Sequence, residues 1–173
     1  VGHTSRVFSV RFATEDPNLL ISGGWDSVVR LWDLRSGETI RTLHDVHLCG
    51  DSLDVSGHSL LVGCFATSRA LRVYDLRTAA LLSVAPWDAG ASGGTKLYAA
   101  QFSDAALGLA TAAGVGSVDG TGAVRVFRRQ DDDSGMVPIA HALAPKGIYG
   151  LDMVAAPPRS PARSPETSPP FHG

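Results

Sequence analysis

One repeated unit constrains this chain more than any other feature. Residues 7–12 (VFSVRF) alternate, with Phe8, Val10 and Phe12 on one face and Val7, Ser9 and Arg11 on the other. A period of two marks a strand. A short apolar run follows at 19–22 (LLIS) and stops at Gly23-Gly24. A β-branched and aromatic run covers 28–34 (VVRLWDL), and Ser36-Gly37 turns the chain into 38–43 (ETIRTL). The set of four recurs at 51–55, 59–64, 70–76 and 79–84, then at 97–102, 107–111, 123–128 and 136–143. A lone further strand is expected at 148–154 (IYGLDMV). No segment carries helical periodicity, so the chain reads as all-β, with about three four-stranded antiparallel units and one extra strand.

The spacing of the units narrows the fold. Asp33 and Asp75 end equivalent strands 42 residues apart. That lies within the roughly 40–45 residues of a four-stranded propeller blade. Trp32, Tyr74 and Phe127 are equivalent, and the last interval is longer. The Gly-rich stretch 113–122 and the acidic stretch 130–135 read as loop insertions that supply the excess. Gly2-His3 opens the first unit, Trp32-Asp33 closes its third strand, and between them stands LLISGGWDSVVRLWDLR (19–35). This segment resembles a blade of the WD-repeat β-propeller family. The resemblance is specific over 2–43, degenerate over 49–85, and rests on strand order over 96–143. It implies a partial propeller over 1–154, with blades at about 3–48, 49–88 and 95–144 and the extra strand at 147–154. Propellers close with typically four to eight blades. Three blades are therefore expected to be the C-terminal part of a longer propeller.

Composition excludes several alternatives. The 173 residues are 44% hydrophobic and 18% charged, too apolar for a disordered chain. The net charge of -2 gives no basic footprint for nucleic acid. No apolar stretch reaches the length of a spanning helix, so no membrane role is expected. Cys49 and Cys64 form no disulfide framework and fit a reducing compartment, the cytoplasm or the nucleus. Residues 155–173 differ in kind: six of the ten prolines lie in 157–170, and a disordered tail is expected. Ser160, Ser164 and Ser168 each precede proline and are candidate sites for proline-directed phosphorylation, with Arg159 and Arg163 at hand to pair with the phosphates. Pro158-Arg159-Ser160-Pro161 also has the P-x-x-P form of a polyproline ligand.

The resemblance implies a buried hydrogen-bond relay of His3, Ser22, Asp26 and Trp32. Asp26 accepts from one imidazole nitrogen, the other meets the Ser22 hydroxyl, and Ser22 accepts from the Trp32 indole. The same Ser, His and Asp could form a hydrolase triad. No Gly-x-Ser-x-Gly elbow or oxyanion hole accompanies them, and a structural role is the better reading. The second and third units depart from the pattern. Gly63 reads as the replacement for the serine and Tyr74 for the tryptophan, and no Asp fills 65–69. In the third unit Thr111 or Ala112, Phe127 and a shifted Asp119 take those places.

Three further patterns are weighed. His44, His47, Cys49 and Cys64 offer nitrogen and sulfur donors suited to zinc, but their spacing fits an ordinary loop between blades better. GVGSVDG (114–120) lacks the spacing and the lysine of a phosphate loop and reads as a long hairpin loop. Asp131, Asp132 and Asp133 read as a solvated loop. Leu20–Arg35 resembles the box by which some WD-repeat proteins dock onto the adaptor of a cullin-RING ubiquitin ligase. Asp33 and Arg35 are its key positions, and Asp75 and Arg77 echo them one blade on. The expectation is a non-enzymatic protein-interaction scaffold without cofactor or metal. Its partners are other proteins, with docking onto a ubiquitin ligase adaptor as the alternative. A propeller hydrolase or zinc protein is the remaining rival.

Overall fold

Alternating short strands and tight turns leave the backbone one economical way to satisfy its hydrogen bonds, the antiparallel meander. The computed structural model describes residues 2–87, 94–103, 108–116, 120–130 and 135–153. The first sheet holds β1 (Val7–Phe12), β2 (Leu19–Gly24), β3 (Val28–Asp33) and β4 (Glu38–His44). The second holds β5 (Leu53–Ser56), β6 (Ser59–Gly63), β7 (Leu71–Asp75) and β8 (Leu81–Val84). The third holds β9 (Thr95–Phe102), β10 (Leu109–Gly116), β11 (Gly122–Arg129) and β12 (Met136–Ala144). Each sheet pairs its strands in chain order. The turns carry the residues that tight turns demand: Gly37 and Gly57 adopt φ of 71° and 57° between paired strands.

Two apolar cores lie between the sheets. Ile21, Val29, Leu31 and Leu43 of the first sheet pack against Leu53, Val55, Leu60 and Val62 of the second. Leu61, Leu71 and Val73 turn the opposite way and meet Leu97, Ala100, Ala110 and Phe127 of the third. The middle sheet is therefore covered on both faces, and every residue of β6 is buried. The first sheet is covered on one face, and Val7, Val10 and Phe12 remain 45%, 46% and 62% exposed. Polar clamps reinforce both seams. Ser9 Oγ donates to Asp51 at 2.7 Å, and the Phe102 amide donates to Asp54 at 2.7 Å.

One backbone bond repeats at each seam. The amides of Leu48, Leu97 and Ile148 donate to the carbonyls of Gly24, Cys64 and Gly114 at 3.1, 3.1 and 3.4 Å. Ile148 thus stands where each following unit begins. The expected strand at 148–154 is not formed over its described part, residues 148–153. The reason is the lack of an antiparallel partner among the described residues. The segment is tied instead to the third sheet, where the Met153 amide donates to Gln101 Oε1 at 3.0 Å.

The Gly-rich insertion is also corrected. β10 runs on through Gly116, and Gly114 and Val115 pair with both β9 and β11. A side chain at Gly114 would collide with the Lys96 carbonyl, so the glycine here permits pairing rather than interrupts it. Residues 117–119, with the shifted Asp119, lie outside the described residues, as do Asp131–Asp133 and the tail with Ser160, Ser164 and Ser168.

Candidate functional site

The first sheet assembles the relay from four separate segments. His3 precedes β1, Ser22 lies in β2, Asp26 in the β2–β3 turn and Trp32 in β3. His3 Nδ1 lies 2.9 Å from Asp26 Oδ2, and His3 Nε2 lies 2.7 Å from Ser22 Oγ. The Trp32 indole donates to Ser22 Oγ at 2.8 Å. A carboxylate only accepts, so His3 Nδ1 carries the proton and donates. Nε2 then accepts from the Ser22 hydroxyl. The His3 and Asp26 side chains are 7% and 5% exposed. Burial pushes the Asp26 carboxyl up. The Thr4 amide, the His3 ring and the Val28 amide outweigh burial and hold it below the ordinary carboxylate value.

This arrangement uses up the serine. Its proton points at His3, one lone pair takes the indole hydrogen, and the residue is buried at 5% exposure, so the oxygen is closed off from solvent. The geometry fits a strut that ties two strands and the turn between them to the lead-in segment, with each member of the relay hydrogen-bonded.

The sheet registers reassign the equivalent positions elsewhere. Trp32 pairs with Leu20, Tyr74 with Leu60 and Phe127 with Ala110. Two residues on from these partners, Val62 and Ala112 stand where Ser22 stands. Gly63 does not replace the serine, since it matches Gly23 one place later, and Thr111 stands one place earlier than the serine position. The same register aligns Arg30, Arg72 and Arg125. Arg72 spans to the first unit, donating to the Asp45 carbonyl at 3.0 Å, and Arg125 lies 5.1 Å over the Trp87 ring.

The sheets define two loop-bearing ends. The lower end carries the turns after β1, β3, β5 and β7. Here Arg35 Nε donates to Asp33 at 3.1 Å and an Arg77 guanidinium nitrogen donates to Asp75 at 3.1 Å. The arginines stay 70% and 68% exposed. The Arg77 hydrogen bond, aided by Thr78, holds Asp75 down at about 2. Asp33 is likewise lowered by its hydrogen bonds from Arg35. A cleft of about 310 Å³ opens between these two units, lined among others by Glu15, Asp16, Ile40, Arg41, His58 and Arg77.

The upper end carries the loops after β2, β4, β6, β8, β10 and β12. His44, His47, Cys49 and Cys64, the residues weighed as zinc donors, lie at this end. His47 Nδ1 lies 3.0 Å from Ser27 Oγ. Burial raises the Cys49 thiol, against a hydrogen bond with Tyr98, and burial pushes Cys64 up to about 11. Among the described residues no three His, Cys, Asp or Glu side chains group as metal ligands. Sequence reasoning missed what does gather at this end, a row of aromatic rings running from Phe8 to Tyr149. The available signal was the register. Tyr98 and Tyr149 each follow a seam residue, Leu97 and Ile148, and Trp25 and Phe65 each stand just past the end of a second strand.

Three sheets packed face to face, each a four-stranded meander, define a segment of a β-propeller. No protein-family model matches the chain. It is 34% identical over 84 residues to a guanine nucleotide-binding protein subunit beta of Arabidopsis thaliana, covering 48% of this chain and 22% of that protein. It is 41% identical over 78 residues to a ribosome biogenesis protein WDR12 homolog of Chlamydomonas reinhardtii, covering 44% of this chain and 17% of that protein. To the mitotic checkpoint protein bub-3 of Caenorhabditis elegans it is 36% identical over 80 residues, 42% of this chain and 22% of that protein. A chain in the crystal structure of a mitotic checkpoint complex matches the fold with a TM-score of 0.67 and 18% identity, over 86% of this chain and 43% of that one. The computationally designed Ika4 protein matches with a TM-score of 0.67 and 17% identity, over 89% of this chain and 83% of that one. These relatives are WD-repeat proteins, and about half of this chain is similar to them. The chain spans about a fifth of the length of the curated relatives it matches.

Proposed function

We propose that this chain is part of a non-enzymatic scaffold that holds other proteins on the loop-bearing ends of its blades. The observation that carries this reading is the closed relay: its Ser-His-Asp set is spent on tying strands together. Two relatives are by name a subunit and a checkpoint protein, and WD-repeat relatives of this kind support an interaction role. The two free thiols suit a reducing compartment, and the cytoplasm or nucleus is proposed. Two measurements test the reading. A fluorophosphonate probe is expected to leave Ser22 unlabelled, and labelling there would overturn the non-enzymatic part. Reciprocal affinity isolation from the source cell is expected to recover a stoichiometric protein partner; isolation of the chain without any would overturn the scaffold part.

The second reading is docking onto a ubiquitin ligase adaptor. What favours it is the repetition of one exposed arginine, held by its own aspartate, at the lower end of two neighbouring blades. A guanidinium presented this way remains a bidentate donor for a partner. Changing Arg35 and Arg77 together to alanine is expected to abolish co-purification with the adaptor, and retained association would refute this reading.

A further inference from the structure

The ring row on the upper end belongs neither to the relay nor to the paired arginines. Phe8 and Trp25 have centroids 5.8 Å apart, Trp25 and His47 4.7 Å, and Trp25 and Phe65 6.3 Å. Phe65 and Tyr98 follow at 5.2 Å, and Tyr98 and Tyr149 at 4.7 Å. The row crosses all three blades. Backbone bonds fix its members, since the Trp25 amide donates to the Arg6 carbonyl at 2.9 Å and the Phe65 amide to the His47 carbonyl at 2.8 Å. Yet it stays open to solvent: Phe8, Trp25 and Tyr149 are 36%, 45% and 63% exposed. Exposed, rigidly held aromatic side chains are the usual anchors of protein interfaces.

The charges around the row give it a sign. Lys96 Nζ lies 4.8 Å over the Phe65 ring. Arg6 adjoins the lead-in to β1, Arg69 lies in the β6–β7 loop and Lys146 follows β12; all three are exposed. The described carboxylates at this end are largely spent: Asp26 is in the relay and Asp51 is paired with Arg11 at 2.8 Å. That leaves Asp45, with Asp152 three residues beyond Tyr149. The lower end mixes its charges: Arg35 and Arg77 pair with Asp33 and Asp75, and Arg41 accompanies Glu15 and Asp16 along the cleft. Among the described residues, cations thus outnumber available carboxylates at the aromatic end.

We propose that the upper ring row binds an extended acidic peptide segment of a partner protein. Its apolar side chains lie against Phe8, Trp25, Phe65 and Tyr149, and its carboxylates face Arg6, Arg69, Lys96 and Lys146. A basic segment is disfavoured by those four cations, one of which already covers the Phe65 face. A single nucleic-acid strand is disfavoured by ring orientation. Interplanar angles along the row run from 32° between Trp25 and Phe65 to 71° between Phe65 and Tyr98, so the rings form no series of parallel faces for successive stacked bases. This inference rests on the scaffold reading and names the chemistry of one partner surface.

The test uses the full chain and a fluorescein-labelled peptide of repeated Glu-Glu-Phe, read by anisotropy at low and physiological salt. Binding is expected, with weakening as salt rises. Trp25→Ala and Lys96→Glu are each expected to weaken it by about tenfold, while Glu38→Gln on the lower end leaves it unchanged. Circular dichroism and thermal unfolding verify that each variant folds; should Trp25→Ala unfold, Lys96→Glu carries the test alone. Absence of binding would overturn the proposal, as would equal or tighter binding of the matching Lys-Lys-Phe peptide or of oligothymidylate. Binding unaffected by either substitution would also overturn it. Such a failure is distinct from failure of the scaffold reading, which is judged by whether reciprocal isolation yields a stoichiometric partner.

Discussion

The first and second blades share a backbone plan and hold it by different means. The first has a relay of four polar side chains and leaves one face of its innermost strand exposed. The second has Val62 and Tyr74 at the serine and tryptophan positions, and its β6 is wholly buried between two neighbouring sheets. Polar ties and apolar burial are therefore interchangeable solutions to one problem, fixing four short strands that are only marginally stable on their own. A relay is directional and fails when one member is lost. Burial is distributed, and depends on both neighbouring blades being present.

The largest effect should come from attacking burial in the second blade. Leu60 and Leu61 point into opposite cores and both are fully buried. Replacing either with alanine is expected to cost about 2–5 kcal/mol in denaturant unfolding. A cost below about 1 kcal/mol would break the contrast between the blades. Next comes the relay. His3→Ala leaves the Ser22 hydroxyl and the Asp26 carboxylate without their shared partner, for an expected loss of about 1–3 kcal/mol. Unchanged thermal unfolding would remove the relay from the account.

Transplanting the serine sharpens the comparison. Val62→Ser places a hydroxyl at the relay position of a blade that has no histidine to receive it. The expected outcome is destabilisation by about 1–3 kcal/mol. Stabilisation would mean that the second blade has a hidden partner.

The relay also predicts a pH dependence. The folded Asp26 carboxyl lies below its ordinary value, so its stabilising contribution is complete above an unfolded value of about 3.9. That contribution is lost as pH falls through the folded value. Asp26→Asn should flatten this acid limb while lowering stability at neutral pH. An acid limb of unchanged steepness in the variant would assign the titration elsewhere. The smallest effect concerns the thiols. Burial holds Cys64 in its neutral form, with a value of about 11, whereas Cys49 is only half-buried. Iodoacetamide should modify Cys49 well before Cys64 in the folded chain, and equal rates would contradict the burial of Cys64.

Much of this fold was legible because strand alternation and turn chemistry are local. Val7–Phe12 and Glu38–His44 differ from the expected runs by at most one residue. The relay residues were legible because the first blade keeps the sequence pattern of the WD-repeat blades it resembles. What escaped was set by pairing across strands. The one-residue shift from Gly63 to Val62 depends on a register that no single strand reveals. Residues 113–116 read as loop because glycine signals turns, yet Gly114 instead admits a close neighbouring backbone. The segment at 148–153 has strand composition and lacks a partner among the described residues. The ring row was hidden most completely, since Phe8, Trp25, Phe65, Tyr98 and Tyr149 come from separate loops and strand ends brought together only when the blades stack.

The central claim, that the first blade is held by its relay and the second by burial, is tested most directly by residue-resolved amide hydrogen exchange on the full chain and on His3→Ala. The account predicts that protection falls selectively in β1–β4 while β6 and β7 keep theirs. Equal loss across all three sheets, or no loss in the first, would contradict it.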